Sequence, residues 1–389
     1  MDNHSINTTV PQLRFPDFLN DGEWEMKRLG EIITVNSGRD YKHLQSGDIP
    51  VYGTGGYMLS VNDKLSDIDA IGIGRKGTID KPQYLKAPFW TVDTLFFLTT
   101  KEGFDLNFVF FLLQTIEWKK YSEQTGVPSL TRNSIEKIEV KVPPLAEQRR
   151  IAACLSALDE MLAATNEKLE QLKAYKKGLM QQLFVDSTGG GKSLKINYLQ
   201  IPKLRFPEFY EEKEWEEKKL GEIIATIVPK KKLQTSDYKL GGKYPIIDQS
   251  QSYICGYSDD EEALINTNSE NMVVFGDHTC TLKFIDFPFV QGADGIKVFK
   301  SFDSNEIEEY FLYQYLLFSP LVSKEYKRHF SELREKTIRF PTNIEEQRKI
   351  ASSLSTMDET INAYTEKAGL LGQYKKGLMQ RMFPQNQMN

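Results

Sequence analysis

The hexapeptide Leu13-Arg14-Phe15-Pro16-Asp17-Phe18 returns as Leu204-Arg205-Phe206-Pro207-Glu208-Phe209, and this repetition constrains the fold more than any other feature of the chain. The match continues past it. Trp24 corresponds to Trp215, and Leu29-Gly30-Glu31-Ile32 to Leu220-Gly221-Glu222-Ile223, all at an offset of 191. Further on, Glu147-Gln148-Arg149 recurs as Glu346-Gln347-Arg348. The heptapeptide from Tyr175 to Gln181 recurs unchanged from Tyr374 to Gln380, now at an offset of 199. A two-copy period this long denotes a duplicated domain rather than a solenoid. The flanks of each copy are nearly identical while the middles have drifted, so one fold carries two different surfaces.

The middles share fainter landmarks. Pro50 to Tyr57 (PVYGTGGY) resembles Pro245 to Tyr253 (PIIDQSQSY), Ile73-Gly74 resembles Phe275-Gly276, and Pro88-Phe89 resembles Pro288-Phe289. The runs AIGIG (70–74) and MVVF (272–275) read as buried strands. YGTGG and KLGGK read as loops. NFVFFLLQTI and EEYFLYQYLLF read as aromatic helices. Each middle is therefore expected to be α/β or α+β.

The later flanks have helical periodicity. Ile151, Leu155, Leu158, Leu162, Thr165, Leu169, Leu172, Lys176, Leu179 and Leu183 alternate spacings of four and three. Ile350, Leu354, Met357, Ile361, Tyr364, Ala368, Leu371, Lys375, Leu378 and Met382 do the same. Such a seam, sustained over several heptads, predicts a coiled coil. Burial of each large seam side chain is worth roughly 1.5–3 kcal/mol, and a lone helix would leave the seam in water. Pro143-Pro144 and Pro341 precede the two helices, where proline is tolerated. A helix of about 39 residues is about 58 Å long. The chain order then favours an antiparallel return, with Tyr364, Ala368 and Gly369 marking a weaker second seam. The expected fold class is α+β: two similar α/β domains separated by a pair of long helices in an antiparallel coiled coil, pseudo-two-fold symmetric. The expected boundaries are a tail over 1–10, a first domain over 11–143, a first helix over 144–184, a linker over 185–201, a second domain over 202–341, a second helix over 342–383 and a tail over 384–389.

Candidate chemistry is sparse. Gly72-Ile73-Gly74-Arg75-Lys76-Gly77 is a literal G-x-G-x-x-G, but a dinucleotide fingerprint needs a helix directly after it, and Pro82 stops one. The run reads instead as a glycine turn projecting Arg75, Lys76 and Thr78. GGGKS (189–193) lacks the first glycine of a phosphate loop, since position 186 is Asp186. Asp277-His278 has no partner nucleophile visible in the sequence, and none of the four histidines has metal-ligand spacing. Pro143-Pro144 lies between Val142 and Leu145, not in the tetrapeptide of an adenine methyltransferase. Three cysteines, far apart, suit a reducing cytosol and form neither a disulfide framework nor a zinc site. With no apolar start and no membrane-length apolar run, the expected location is cytoplasmic.

Net charge is −5, so phosphate contacts must come from local patches. Arg39, Lys42, Arg75 and Lys76 lie in loops of the first copy. Lys230, Lys231 and Lys232 form a basic run in the second, where His278 and Thr279 occupy a loop, and Lys324, Lys327, Arg328 and His329 follow later. Lysine and arginine beside glycine loops can contact phosphates and base edges. Two different heads on one pseudo-dyad would suit a bipartite DNA site. A two-headed scaffold without DNA reading would show the same duplication.

The paired LRFPxF…W…LGE starts, the PPLAEQRRIA and NIEEQRKIA helix starts and the twin YKKGLMQ ends resemble the specificity subunit of type I restriction-modification systems, from about Pro11 to Phe383. The stretches IGIGRKGTI and VVFGDHTCTLKF resemble target-recognition domains of that family. The resemblance implies a non-catalytic subunit that holds no metal or cofactor. Each domain would read one half of an interrupted asymmetric site in double-stranded DNA, with the helices setting the gap. It implies two methyltransferase subunits carrying S-adenosylmethionine, and restriction subunits that use ATP and Mg.

Overall fold

The computed structural model describes residues 10–122, 126–185, 201–212, 215–267, 270–293, 295–321 and 328–384. Residues 1–9 of the expected tail over 1–10, 385–389 of the tail over 384–389 and 186–200 of the linker over 185–201, together with Lys324 and Lys327, lie outside these residues. The chain divides into two units, Met1–Asn166 with Glu366–Asn389, and Glu167–Thr365.

In the first unit Ala70–Gly74 is buried at every position, as its unbroken apolar run requires of a central strand. It lies between Leu95–Thr100 and Gln83–Leu85 in an antiparallel four-stranded sheet whose far edge is Ile33–Ser37. A three-stranded sheet places Ser46–Gly53 between Gly56–Val61, antiparallel, and Trp90–Thr91, parallel. A ribbon pairs Glu25–Arg28 with Glu139–Val142. The aromatic helix Leu106–Gln114 buries Phe108, Val109, Phe111, Leu112 and Leu113, and is capped by Asp105, whose carboxylate accepts from the Phe108 amide at 2.9 Å.

The second unit repeats this plan. Its four-stranded sheet runs Ile224–Ile227, Ile296–Ser301, Met272–Gly276, Leu282–Ile285. Tyr244–Ile247 again pairs one neighbour antiparallel and another, Phe289–Gln291, parallel. Glu216–Lys219 pairs with Thr337–Phe340, and the aromatic helix is Glu309–Phe318. The Pro50/Pro245, Gly74/Gly276 and Phe89/Phe289 landmarks fall on equivalent strands or strand ends.

The long helices span Leu145–Leu183 and Ile344–Met382. Each gives one part to each unit. In the first unit Ile151, Leu155 and Leu158 share a core with Leu378, Met379, Met382 and Phe383. Lys375 Nζ lies 2.5 Å from Asp159 Oδ1. In the second unit Leu179, Met180, Leu183 and Phe184 share a core with Ile350, Ala351 and Leu354, and Lys176 Nζ lies 2.6 Å from both carboxylate oxygens of Asp358. Rising numbers on one helix meet falling numbers on the other, so the pairing inside each unit is antiparallel. The two lysines that interrupt the apolar seam thus each face an aspartate on the facing helix. Burial is complete at Ile151, Leu155, Ile350 and Leu354 and persists at Leu169; Leu162, Leu172, Met357, Ile361, Tyr364, Ala368 and Leu371 are half-buried.

The repeated hexapeptide locks each unit to its helix start. Arg14 donates to both carboxylate oxygens of Glu147, Nε at 2.8 Å and Nη2 at 2.7 Å, and its Nη1 reaches the carbonyls of Asp21 and Gly22. Arg205 repeats the fork on Glu346 at 2.7 Å twice, with the Glu212 carbonyl as third acceptor. Both carboxylates are fully buried. The adjacent glutamines continue the lock. Gln148 joins the Pro143 carbonyl to the Asp105 amide, and Gln347 joins the Pro341 and Glu306 carbonyls to the Glu308 amide. Leu13 and Leu204 donate their amides to the carbonyls of Arg381 and Gln182, near the far helix ends. Phe383 and Phe184, just past those ends, join the aromatic clusters around Trp24–Phe108 and Trp215–Phe311.

Candidate nucleic-acid interface

The loops that vary between copies converge in each unit. In the first, residues 40–42, 53–58 and 92–94 surround an open cleft of about 750 Å³. The backbone ties them together. The Arg39 amide donates to the Thr91 carbonyl at 2.8 Å, and the Trp90 indole to the Arg39 carbonyl at 2.9 Å. The Arg75 amide donates to the Thr94 carbonyl at 2.8 Å. Lys42 lines the cleft with Asp40, Tyr41 and Asp93. Arg39, Lys42, Arg75 and Lys76 are exposed, and the Arg75 guanidinium sits 5.8 Å from the Phe96 ring centre.

The G-x-G-x-x-G run is a strand end and turn. Gly72 and Gly74 lie on the strand, and no helix follows. A side chain at Gly74 would meet the Thr78 carbonyl 2.0 Å from its Cβ, and Gly77 has φ of +82°. Both positions therefore need glycine. The turn is fastened to residues 128–130: the Gly77 amide donates to the Pro128 carbonyl, and the Leu130 amide to the Arg75 carbonyl, each at 2.9 Å. Thr78 is half-buried at its base.

The equivalent turn of the second unit is Asp277–Cys280. Asp277 is 3% exposed; its carboxylate accepts from the Phe330 amide at 2.8 Å and its carbonyl from the His329 amide at 2.9 Å. These bonds tie the turn to the start of the helix Phe330–Arg334. Thr279 is exposed and donates to the Gln249 carbonyl at 3.1 Å, while His278 is half-buried.

Charge separates the two units. Lys230, Lys231 and Lys232 are exposed. Lys231, however, pairs with Asp260 at 2.6 Å, Lys239 with Asp259 at 2.8 Å and Lys243 with Glu261 at 2.7 Å. These lysines hold the carboxyls of Asp259, Asp260 and Glu261 below their usual range. The loop 259–262 is thus an internal counterion for the basic surface. It was legible as the run Asp259-Asp260-Glu261-Glu262, but its target was not. Sequence reasoning also missed Tyr57, 63% exposed, and Met58 beside it on the cleft rim. The glycines of YGTGG were the available signal for that rim.

Among the described residues, no three of the His, Cys, Asp and Glu side chains are grouped to hold a metal ion, and no helix is long and apolar enough to cross a membrane. The three cysteines are free thiols.

Comparison with known proteins identifies the plan. The chain is 26% identical over 290 residues to the type I restriction enzyme MjaVIII specificity subunit of Methanocaldococcus jannaschii, covering 67% of this chain and 65% of that protein. It is 27% identical over 152 residues to the EcoR124I/EcoR124II specificity subunit of Escherichia coli, covering 38% of each. The crystal structure of a type I restriction-modification system S subunit from M. genitalium has the same fold, with a TM-score of 0.72 at 16% identity over 97% of this chain and 100% of that one. The family model for the type I restriction modification DNA specificity domain matches twice, at residues 21–174 and 212–370, one match to each repeat. With the duplication, the shared sheet plan and both matches in agreement, the chain belongs to the type I restriction modification DNA specificity domain family.

Proposed function

We propose that this chain is the non-catalytic DNA-reading subunit of a type I restriction-modification complex. Each unit reads one half of an interrupted, asymmetric site in double-stranded DNA. The observation that carries this reading is one sheet plan used twice with different loops. The first cleft is lined by Gly53, Gly55, Gly56, Tyr57 and Lys42; the equivalent loop of the second unit is Asp248-Gln249-Ser250-Gln251-Ser252. Similar frames with unlike reading edges suit unlike half-sites.

In this reading Arg39, Lys42, Arg75, Lys76 and Thr78 serve the first half-site. Lys230, Lys231, Lys232, His278 and Thr279 serve the second. The cations contact phosphates and fix register, and polar side chains on the loops read base edges. The helix pair and its two buried Arg-Glu forks form the frame on which two methyltransferase subunits dock. S-adenosylmethionine belongs to those partners, and ATP and Mg to restriction subunits where they are present.

The test is genomic. DNA from the host with and without this gene is sequenced by a method that detects methylated adenine. One interrupted, asymmetric motif is expected to lose methylation. An unchanged methylome, with the partner methyltransferase expressed, overturns the DNA-reading role in favour of a plain scaffold.

A further inference from the structure

Gln83 and Lys283 occupy the same place in the two units, at the offset of 200 that also relates Phe89 to Phe289. Gly74 and Gly276 end equivalent central strands. Two residues before each, Gly72 faces Gln83 and Val274 faces Lys283 on the neighbouring edge strand. The side chains do the same thing. Gln83 Nε2 donates to the carbonyls of Gly53 at 3.1 Å and Thr54 at 3.0 Å. Lys283 Nζ donates to the carbonyls of Asp248 at 2.8 Å and Ser252 at 2.6 Å. Those carbonyls lie in the equivalent variable loops, one after Pro50 and the other after Pro245.

Two unlike side chains therefore make one device, a pair of N–H donors joining a sheet edge to the loop beside it. The second instance is costly. Lys283 is 3% exposed, and burial pulls its ammonium below the ordinary lysine range. An apolar residue would fill that position without the desolvation cost, but it would leave the loop untethered. The loops carry exposed side chains, Tyr57 and Met58 in the first unit and Gln251 and Tyr253 in the second. Base readout needs such groups held within about 0.5 Å.

We infer that Gln83 and Lys283 are positioning residues that fix the two reading loops and so set which base pairs each unit accepts. The inference rests on the DNA-reading role proposed above. Neither residue touches DNA in this scheme; each acts through the loop it holds.

The experiment uses the full chain assembled with its methyltransferase subunits. It measures methylation of DNA duplexes carrying the motif with single base-pair changes in either half-site. Gln83→Ala is expected to reduce discrimination about tenfold at positions of one half-site and to leave the other half-site unchanged. Gln83→Lys and Lys283→Gln, which exchange one peg for the other, are expected to keep discrimination within about threefold. Thermal unfolding and assembly of each variant serve as the fold control; Gln83 is half-buried on an edge strand, so the alanine variant is expected to fold. Unaltered discrimination by Gln83→Ala overturns the inference, as does an equal loss in both half-sites. These results are distinct from failure of the underlying role, in which the unmodified assembly itself shows no preference between matched and altered duplexes.

Discussion

At the scale of single residues, the strongest commitment is the buried fork between Arg14 and Glu147 and its copy between Arg205 and Glu346. Each guanidinium spends its donors on one carboxylate and on loop carbonyls, and the pairing with Glu147 holds Arg14 firmly protonated. Such a pair need not add net stability over an apolar substitute, but cutting one partner strands a buried charge. Arg14→Met and Glu147→Leu are each expected to destabilise the first unit by about 3–5 kcal/mol in denaturant unfolding. The double variant is expected to cost clearly less than the sum. Additive losses would mean the two side chains do not act as a pair. The hexapeptide and the EQR motif were both visible in the sequence, twice each. That they bond each other was not, because about 130 residues separate them and no periodicity links them.

At the scale of elements, the two helices were the most legible part of the chain. Their 4–3 spacing and flanking prolines describe helices whose observed spans are Leu145–Leu183 and Ile344–Met382. The spacing could not say why Lys176 and Lys375 sit on an apolar seam; the answer is an aspartate from the facing helix, which periodicity along one helix cannot reveal. The order of short strands was also illegible, since Trp90–Thr91 and Leu264–Ile265 are two residues long and are fixed by their neighbours rather than by pattern. Four glycines of the long helices, Gly178, Gly369, Gly372 and Gly377, remain unexplained by packing. Gly178 lies within the first helix, yet an added Cβ would meet nothing within 4 Å. Gly178→Ala is therefore expected to stabilise the isolated chain by about 0.5–1 kcal/mol, measured by unfolding. A loss of stability would reveal a contact at that site. The acidic loop 259–262 makes a prediction in pH. The carboxyls of Asp259, Asp260 and Glu261 titrate lower when folded, because each accepts from a lysine, so these contacts are in place at neutral pH and are lost as pH falls through the lowered values. Side-chain carboxyl shifts followed by NMR check it; midpoints at the ordinary aspartate and glutamate values would refute the pairing.

At the scale of the whole molecule, the two heads share a plan but not an electrostatic state. The cations chosen from the sequence divide accordingly. Lys76 is exposed on a turn held by backbone bonds, whereas Lys231 already lies 2.6 Å from Asp260. A lysine that meets a phosphate releases about one counterion, so its removal lowers the slope of log affinity against log salt by about one. A lysine that must first leave a carboxylate gains less, because one ion pair replaces another. Lys76→Ala is thus expected to weaken binding of the assembled complex to its site by about five- to tenfold at moderate salt and to reduce the salt slope by about one. Lys231→Ala is expected to cost less than about threefold, within the small worth of an exposed pair. Asp260→Asn removes the internal competitor and is expected to tighten binding by about two- to threefold while steepening the slope. Fluorescence anisotropy over a series of salt concentrations gives both numbers for all three variants. If Asp260→Asn weakens binding, the acidic loop is a support for the reading surface rather than a competitor for its lysines. If Lys76→Ala leaves the salt slope unchanged, the glycine turn does not lie along the phosphate backbone, and the first unit must meet DNA through the cleft rim alone.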